Sequence, residues 1–163
     1  MAAQAWNDLP GAAGEIKPLR FHPAELTEGD LRPFLPGIEG MSRDDLDKLE
    51  KDPRVQSLAK IIADCTSIHS AATALMQNEP WDLMSVYFDA IDHFGHAFMK
   101  YPPPQRPQVD DWDFKVFNYC VEAGYRYHDM MLGTLLELAG EDTTVILMSD
   151  RTQTVRHLRR QWA

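Results

Sequence analysis

Two aspartates and two histidines lie close together in the stretch YFDAIDHFGHAFM, residues 87–99. Asp92 and His96 form a D-x-x-G-H pattern, and a carboxylate oxygen with an imidazole nitrogen is a ligand pair that zinc accepts. Gly95 would let the chain turn sharply before His96, so that both side chains face one point. The pattern therefore predicts metal binding. The alternative is that Asp92 caps the turn and the histidines are surface residues.

The elements around this pattern predict a small parallel sheet. The apolar run LMSVYF (83–88) precedes the pattern, and TTVILMSD (143–150) follows much later; both have the composition of buried strands. A long helix, starting near Asp110 or Asp111 and ending at Gly140, is predicted between them. Strand, helix and strand make a βαβ unit with a right-handed crossover.

This arrangement would bring three polar groups to one edge of the sheet. Asp92, His96 and Asp150 each follow a predicted strand, and open α/β sheets bind their ligands beyond the carboxyl ends of neighbouring strands. We therefore expect the three side chains to converge.

The rest of the chain predicts two regions. Residues 1–41 are rich in proline and glycine and are expected to be irregular, whereas residues 42–163 should form the α/β domain. Within that domain Ser42 is a candidate cap for a short helix. Asp52 and Pro53 begin a long amphipathic helix that runs to about Gln77, so the first half is helix-rich.

Composition limits the classes of function. A chain of 163 residues suits one domain, and its net charge of −9 argues against a nucleic-acid polymer or an anionic membrane as the main partner. No window of about 18 apolar residues predicts a membrane span, and no signal peptide is visible. Cys65 and Cys120 fall on apolar helical patterns and are predicted to be buried free thiols, so a cytoplasmic location is expected.

Two segments resemble a known family. The stretch SVYFDAIDHFGHAFMKYPPP (85–104), followed by TTVILMSD (143–150), is similar to the metal-site half of the alkaline phosphatase superfamily, within its type I phosphodiesterase/nucleotide pyrophosphatase group. The resemblance implies a partial alkaline-phosphatase-like parallel sheet flanked by long helices. It also implies a phosphate ester or nucleotide as substrate.

The resemblance further implies a site with two divalent metals, most often zinc, with manganese as an alternative. Asp92 and His96 would bind the first metal and Asp150 the second. Two such cations stabilise the attacking and leaving oxygens of a phosphoryl transfer. Asp89 and His93 match no ligand of the family. We expect His93 to support the ligands indirectly or to face solvent, and Asp89 to cap the end of the strand, with a supporting hydrogen bond to a ligand as the alternative.

The chain also departs from the family pattern. The proline-rich residues 1–41 do not predict the strand and the nucleophile that the family carries there, so no catalytic residue is assigned. Arg151 stands where the family has a metal-binding histidine, and an arginine cannot act as a ligand. His157 is the last histidine of the chain and a poor substitute. We therefore expect an internal fragment that is catalytically incomplete and binds metal weakly or not at all when alone.

Two other classes of function stay open at this stage. The tyrosine- and methionine-rich second helix and the unpaired strand edges would suit a non-catalytic module that self-associates as a homo-oligomer. The basic run VRHLRRQW (155–162) would suit a nucleic-acid binder, but the overall negative charge makes this the weakest reading.

Overall fold

The computed structural model describes residues 16–149, which are organised as packed helices. The α-helices of this range are α1 (Glu28–Leu31), α2 (Arg43–Glu50), α3 (Pro53–Asn78), α4 (Ala90–Phe98), α5 (Asp111–Phe117) and α6 (Cys120–Ala139). Short 3₁₀ turns at Lys17–Leu19, Pro23–Glu25 and Pro36–Ile38 precede or connect them. Helices α3, α4 and α6 pack pairwise against one another, so they form the body that carries the candidate site.

The helix starts follow the capping signals in the sequence. The Ser42 hydroxyl oxygen accepts a hydrogen bond from the Asp45 N–H at 3.2 Å, and α2 begins at the next residue. Asp52 caps α3 in the same way, with its Oδ1 2.8 Å from the Arg54 N–H and Pro53 at the first helical position. These caps satisfy backbone donors that have no partner inside the helix. The predictions for both helix starts are confirmed.

An aromatic cluster fills the centre of the body. Phe98 of α4 is fully buried, with its ring centroid 5.8 Å from that of Phe117 and 6.3 Å from that of Tyr101. Phe34 stacks on Phe94 at 5.7 Å and ties the N-terminal turns to α4. Aromatic side chains bury a large apolar area each, so this cluster supplies much of the stabilisation of the fold.

A charged group closes one end of this cluster. The Arg54 guanidinium lies 4.5 Å above the Phe117 ring and donates to Asp52, to Asp113 and to the Tyr101 hydroxyl. The hydrogen bonds that Arg54 donates to Asp52 are the main cause that raises the pKa of Arg54 above its usual range, so this cation remains charged at all accessible pH values. Arg54 therefore joins the start of α3 to α5 by both charge and packing.

The predicted α/β fold with a partial alkaline-phosphatase-like parallel sheet is wrong for the part of the chain that the structure describes. Residues 16–149 contain no β-strand, and the runs at 83–88 and 143–149 have no regular secondary structure. The run at 144–149 is exposed throughout, with Met148 89% exposed, whereas exposed and half-buried residues alternate along the run at 83–88, where Leu83 is 87% exposed. A strand needs a neighbour for its backbone N–H and C=O groups, and neither run pairs with one within this range.

The long helix predicted between Asp110 and Gly140 is divided in two. Helix α5 ends at Phe117, α6 begins at Cys120, and the backbone at Asn118 and Tyr119 stays in the right-handed helical region with ψ values of −23° and −12°. Only these two residues separate the helices, and the Asn118 N–H still donates to the Phe114 carbonyl oxygen at 3.1 Å. The end of α6 agrees with the prediction, because Gly140 has φ of 73°, which glycine adopts without strain.

Among the described residues, no helix is both long enough and apolar enough to cross a membrane. The predicted division at residue 41 remains a prediction, since residues 1–15 and 150–163 lie outside the described range.

Candidate metal centre on helix α4

Helix α4 has one apolar face and one face of acids and imidazoles. Ala90, Phe94 and Phe98 are buried against the helical body. The acid and imidazole residues follow steps of three and four along the opposite side, which places them in one stripe on the helix surface. These residues are Asp89, Asp92, His93 and His96. The buried aromatic face thus fixes the orientation in which the polar stripe is presented.

The Asp92 carboxylate and the His96 imidazole are brought together by this helix. Asp92 Oδ2 lies 3.3 Å from His96 Nε2, and the exposed fractions of the two side chains are 34% and 72%. The predicted sharp turn at Gly95 is wrong, because Gly95 lies inside α4. The two side chains meet because residues four apart share a helix face, not because the chain reverses.

Asp89 and His93 make a second pair of the same kind one turn earlier. Asp89 Oδ2 lies 3.3 Å from His93 Nε2, and both side chains are about half exposed. Asp89 is also the N-cap residue of α4, directly before Ala90. The two pairs have the same residue types, the same spacing and the same distance, so each is the natural control for the other.

The donor set can be compared with what a divalent metal requires. Asp92 and His96 supply one oxygen and one nitrogen at a half-exposed position, which suits zinc or manganese in chemical type. Within residues 16–149 no group of three or more histidine, cysteine, aspartate or glutamate side chains could hold a metal ion. Asp150, Arg151 and His157 lie outside the described residues, so their convergence with α4 remains a prediction. The described residues therefore fit part of a metal site.

The same geometry also suits a helix-stabilising pair. Asp92 lies in the first turn of α4 and His96 in the last, which is the favourable order with respect to the helix dipole. Such pairs stabilise a helix by about 0.2–0.5 kcal/mol. Metal binding and helix stabilisation by this pair are compatible, and only a measurement of metal affinity separates them.

A second polar cluster, between α3 and α6, was not predicted from the sequence. Cys65 Sγ lies 3.5 Å from His128 Nε2 and 3.8 Å from Met131 Sδ. Burial raises the pKa of the Cys65 thiol to about 12 and lowers the pKa of His128. The apolar patterns place Cys65 and Met131 on core faces. The one sequence signal that could have identified His128 is its position three residues before the core residue Met131.

His69 is the one histidine of α3, and no ligand role was predicted for it. Its Nδ1 is buried without a hydrogen-bond partner, and burial lowers the pKa of the side chain. The two cysteines are free and buried, as predicted.

The family of the chain follows from comparison with known proteins. The model of the family described as type I phosphodiesterase / nucleotide pyrophosphatase matches residues 43–154, a stretch that includes α2 to α6 and both apolar runs. This chain belongs to that family, and the resemblance seen in the sequence is confirmed. No curated protein and no solved structure matches the chain.

Proposed function

We propose that this chain carries part of the dinuclear metal site of a phosphoryl hydrolase, of the phosphodiesterase or nucleotide pyrophosphatase type, acting on a phosphate ester or a nucleotide. Membership of the family supports the reaction class. The observation that carries the proposal is the Asp92–His96 pair, an oxygen and a nitrogen donor 3.3 Å apart on an accessible helix face. The same D-x-x-G-H residues led to the family from the sequence.

In this proposal each residue has a limited role. Asp92 and His96 hold one divalent cation, zinc or manganese, and Asp150 contributes to the second. A bound cation would stabilise the charge on the phosphoryl oxygens. The α4 helix orients the two ligands through its buried face. Asp89 and His93 bind no metal in this scheme.

We also propose that the 163 residues alone have no hydrolase activity. A catalytic zinc normally has three protein ligands, whereas the candidate set gives two to one metal and one to the other. Metal binding should be correspondingly weak. A cytoplasmic location is part of the proposal as well, because both cysteines are free and buried rather than paired.

Equilibrium dialysis with zinc or manganese tests the ligand assignment. We expect Asp92→Ala and His96→Ala each to weaken binding by roughly tenfold or more, since each removes one of the two ligands of the first metal. The matched controls are Asp89→Ala and His93→Ala, which remove the same chemical groups from the neighbouring pair and should leave binding unchanged. Circular dichroism spectra would establish that the four variants have the same helix content.

Equal effects in the two pairs would overturn the assignment, because they would show that metal binds to the acidic helix surface in general. Unchanged binding in Asp92→Ala and His96→Ala would overturn it too. Hydrolysis of a bis-aryl phosphate by the purified parent chain, abolished in His96→Ala, would support the site and contradict the proposed inactivity.

A second candidate function is a non-catalytic module that binds another copy of itself. The observation in its favour is the exposure of large apolar side chains in the runs 83–88 and 143–149, with Leu147 74% and Tyr87 76% exposed. Exposed apolar patches of this kind mark association surfaces. Met131, one of the methionines of the second predicted long helix, is buried, so it is not available for association.

Light scattering of variants in the exposed run would decide this alternative. Leu147→Asp should lower the mass of an assembled form toward that of the monomer, whereas Thr144→Asp adds the same charge to the same run without removing an apolar side chain. A mass that is monomeric for the parent, or equal for both variants and the parent, would refute self-association through this run.

A further inference from the structure

We propose that Cys65, His128 and Met131 form a binding site for a soft monovalent cation, with Cu(I) as the chemical type. The three residues bring a thiol, an imidazole and a thioether together between α3 and α6. The site is separate from the Asp92–His96 pair and has different ligand chemistry.

The distances from Cys65 Sγ to the other two donor atoms suit ligands that surround one small ion. Cys65 Sγ is 3.5 Å from His128 Nε2 and 3.8 Å from Met131 Sδ. Ligands bound at about 2.0–2.3 Å, the bond lengths of nitrogen and sulfur on zinc, lie about 3.5–4 Å from each other when they surround an ion. Only small side-chain movements are therefore needed to admit the ion.

The imidazole already presents its free nitrogen to the sulfur. His128 Nδ1 is 2.7 Å from the Gly124 carbonyl oxygen, which can only accept, so Nδ1 carries the proton and donates it. Nε2 of the neutral ring is then the unprotonated atom, and it is the one that faces Cys65 Sγ. Metal-binding histidines commonly donate their other ring N–H to a carbonyl in this way.

The surroundings determine which cation the site prefers. Cys65 and Met131 are each 1% exposed, and the ring of Phe88 packs edge-on against His128 at 5.8 Å. Thiolate and thioether sulfur select Cu(I) over hard cations such as magnesium or calcium. Burial is the main cause of the raised pKa of the Cys65 thiol, and the carboxylates of Asp89 and Asp64 raise it further; the negative charge of these carboxylates attracts a cation. His128 is only half-buried and provides the route of entry.

Binding involves one simple exchange. The Cys65 thiol releases its proton to solvent and its sulfur forms a bond to Cu(I), while His128 Nε2 and Met131 Sδ each donate a lone pair. The copper is not oxidised or reduced in this step. The metal takes the place of the thiol proton.

An anaerobic titration with Cu(I) alone, in competition with a coloured Cu(I) chelator, tests the site. The parent chain should take a single equivalent from the chelator. Cys65→Ser and His128→Asn should each lower the affinity by roughly tenfold or more, because each removes a ligand. Cys120→Ser is the matched control: Cys120 is also a buried free thiol, but its Sγ donates to the Phe34 carbonyl oxygen, so this variant should bind as the parent does.

Methionine variants keep the test valid if a cysteine or histidine variant fails to fold. Met131→Leu preserves the volume of the core and removes only the thioether, so it should fold and still bind Cu(I) more weakly. Met130→Leu is its control, because Met130 is the exposed neighbour. Copper X-ray absorption should show sulfur and nitrogen neighbours in the parent. Equal affinities for the parent and Met131→Leu, an equal loss in Cys120→Ser, or copper neighbours without sulfur would each overturn the proposal.

Discussion

Apolar side chains differ in burial between the packed helices and the two apolar runs at 83–88 and 143–149. Phe98 and Phe117 are apolar and wholly buried, whereas Leu83 and Met148 are apolar and almost fully exposed. A helix satisfies its own backbone hydrogen bonds and needs a neighbour only for its apolar face. A strand needs a neighbour both for its backbone hydrogen bonds and for its apolar face. In these four examples, the buried apolar residues are those whose backbone hydrogen bonds are satisfied within a helix.

Truncating one apolar side chain in each region should change the free energy of unfolding by very different amounts. Phe98→Ala should reduce the free energy of unfolding by about 3–5 kcal/mol, since it leaves a cavity in the aromatic cluster. Leu147→Ala should change the same quantity by less than about 0.5 kcal/mol, because the side chain is already in water. Urea unfolding followed by circular dichroism measures both.

Phe98→Leu covers the case in which the alanine variant does not fold. This smaller change should cost about 1–1.5 kcal/mol. Similar losses for Phe98→Leu and Leu147→Ala would show that the run at 143–149 is packed in solution, and the contrast between the two regions would then fail.

Two glycines of α6 differ in the space around their Cα atoms. A Cβ at Gly124 would lie 2.7 Å from the Phe94 ring, whereas a Cβ at Gly133 meets nothing within 4 Å. Gly124→Ala should therefore destabilise the protein by about 1–3 kcal/mol through overpacking against α4. Gly133→Ala should stabilise it by about 0.5–1 kcal/mol, because alanine restricts the unfolded chain and favours helix.

Thermal unfolding of the two glycine variants beside the parent provides the measurement. The midpoint should fall for Gly124→Ala and rise for Gly133→Ala. A rise in both would mean that α6 does not approach α4 closely at Gly124, and the packing described for the helical body would need revision.

The parts of the fold that were predictable from the sequence are those determined locally. Ser42 and Asp52 mark helix starts because a cap depends on residues within one turn, and Gly140 marks a helix end for the same reason. The strands at 83–88 and 143–150 were predicted from composition alone. Composition indicates that a run is apolar, but it does not show whether a second strand is present to pair with it.

The candidate sites, too, were predictable from the sequence only where the residues are close along the chain. Asp92 and His96 are four residues apart, so their proximity follows from one helix and could be read from the sequence. Cys65 and His128 are 63 residues apart and meet only because α3 packs on α6. Proximity of that kind depends on tertiary packing, for which a single sequence carries no local signal. The prediction for Asp150 has the same dependence and remains a prediction.

The ion pair between Asp52 and Arg54, at the end of the helical body, should make stability depend on pH. Hydrogen bonds from Arg54 lower the pKa of Asp52 below its ordinary value of 3.8, and the Asp52 side chain is 11% exposed. A carboxyl whose pKa is lowered by folding stabilises the protein fully above its unfolded pKa, and this contribution is lost as the pH falls through the folded value. Stability should therefore decline below about pH 4.

Asp52→Asn isolates this contribution. Asparagine still caps the start of α3, so the variant loses the charge but keeps the cap. It should be less stable than the parent by about 1 kcal/mol at neutral pH, and the difference should shrink in acid. Asp142→Asn, beside the exposed run at 143–149, is the control and should follow the parent at every pH. Urea unfolding midpoints between neutral pH and pH 3 provide the comparison. A difference between parent and Asp52→Asn that stays constant across this range would show that the Arg54–Asp52 contact contributes through packing alone and not through charge.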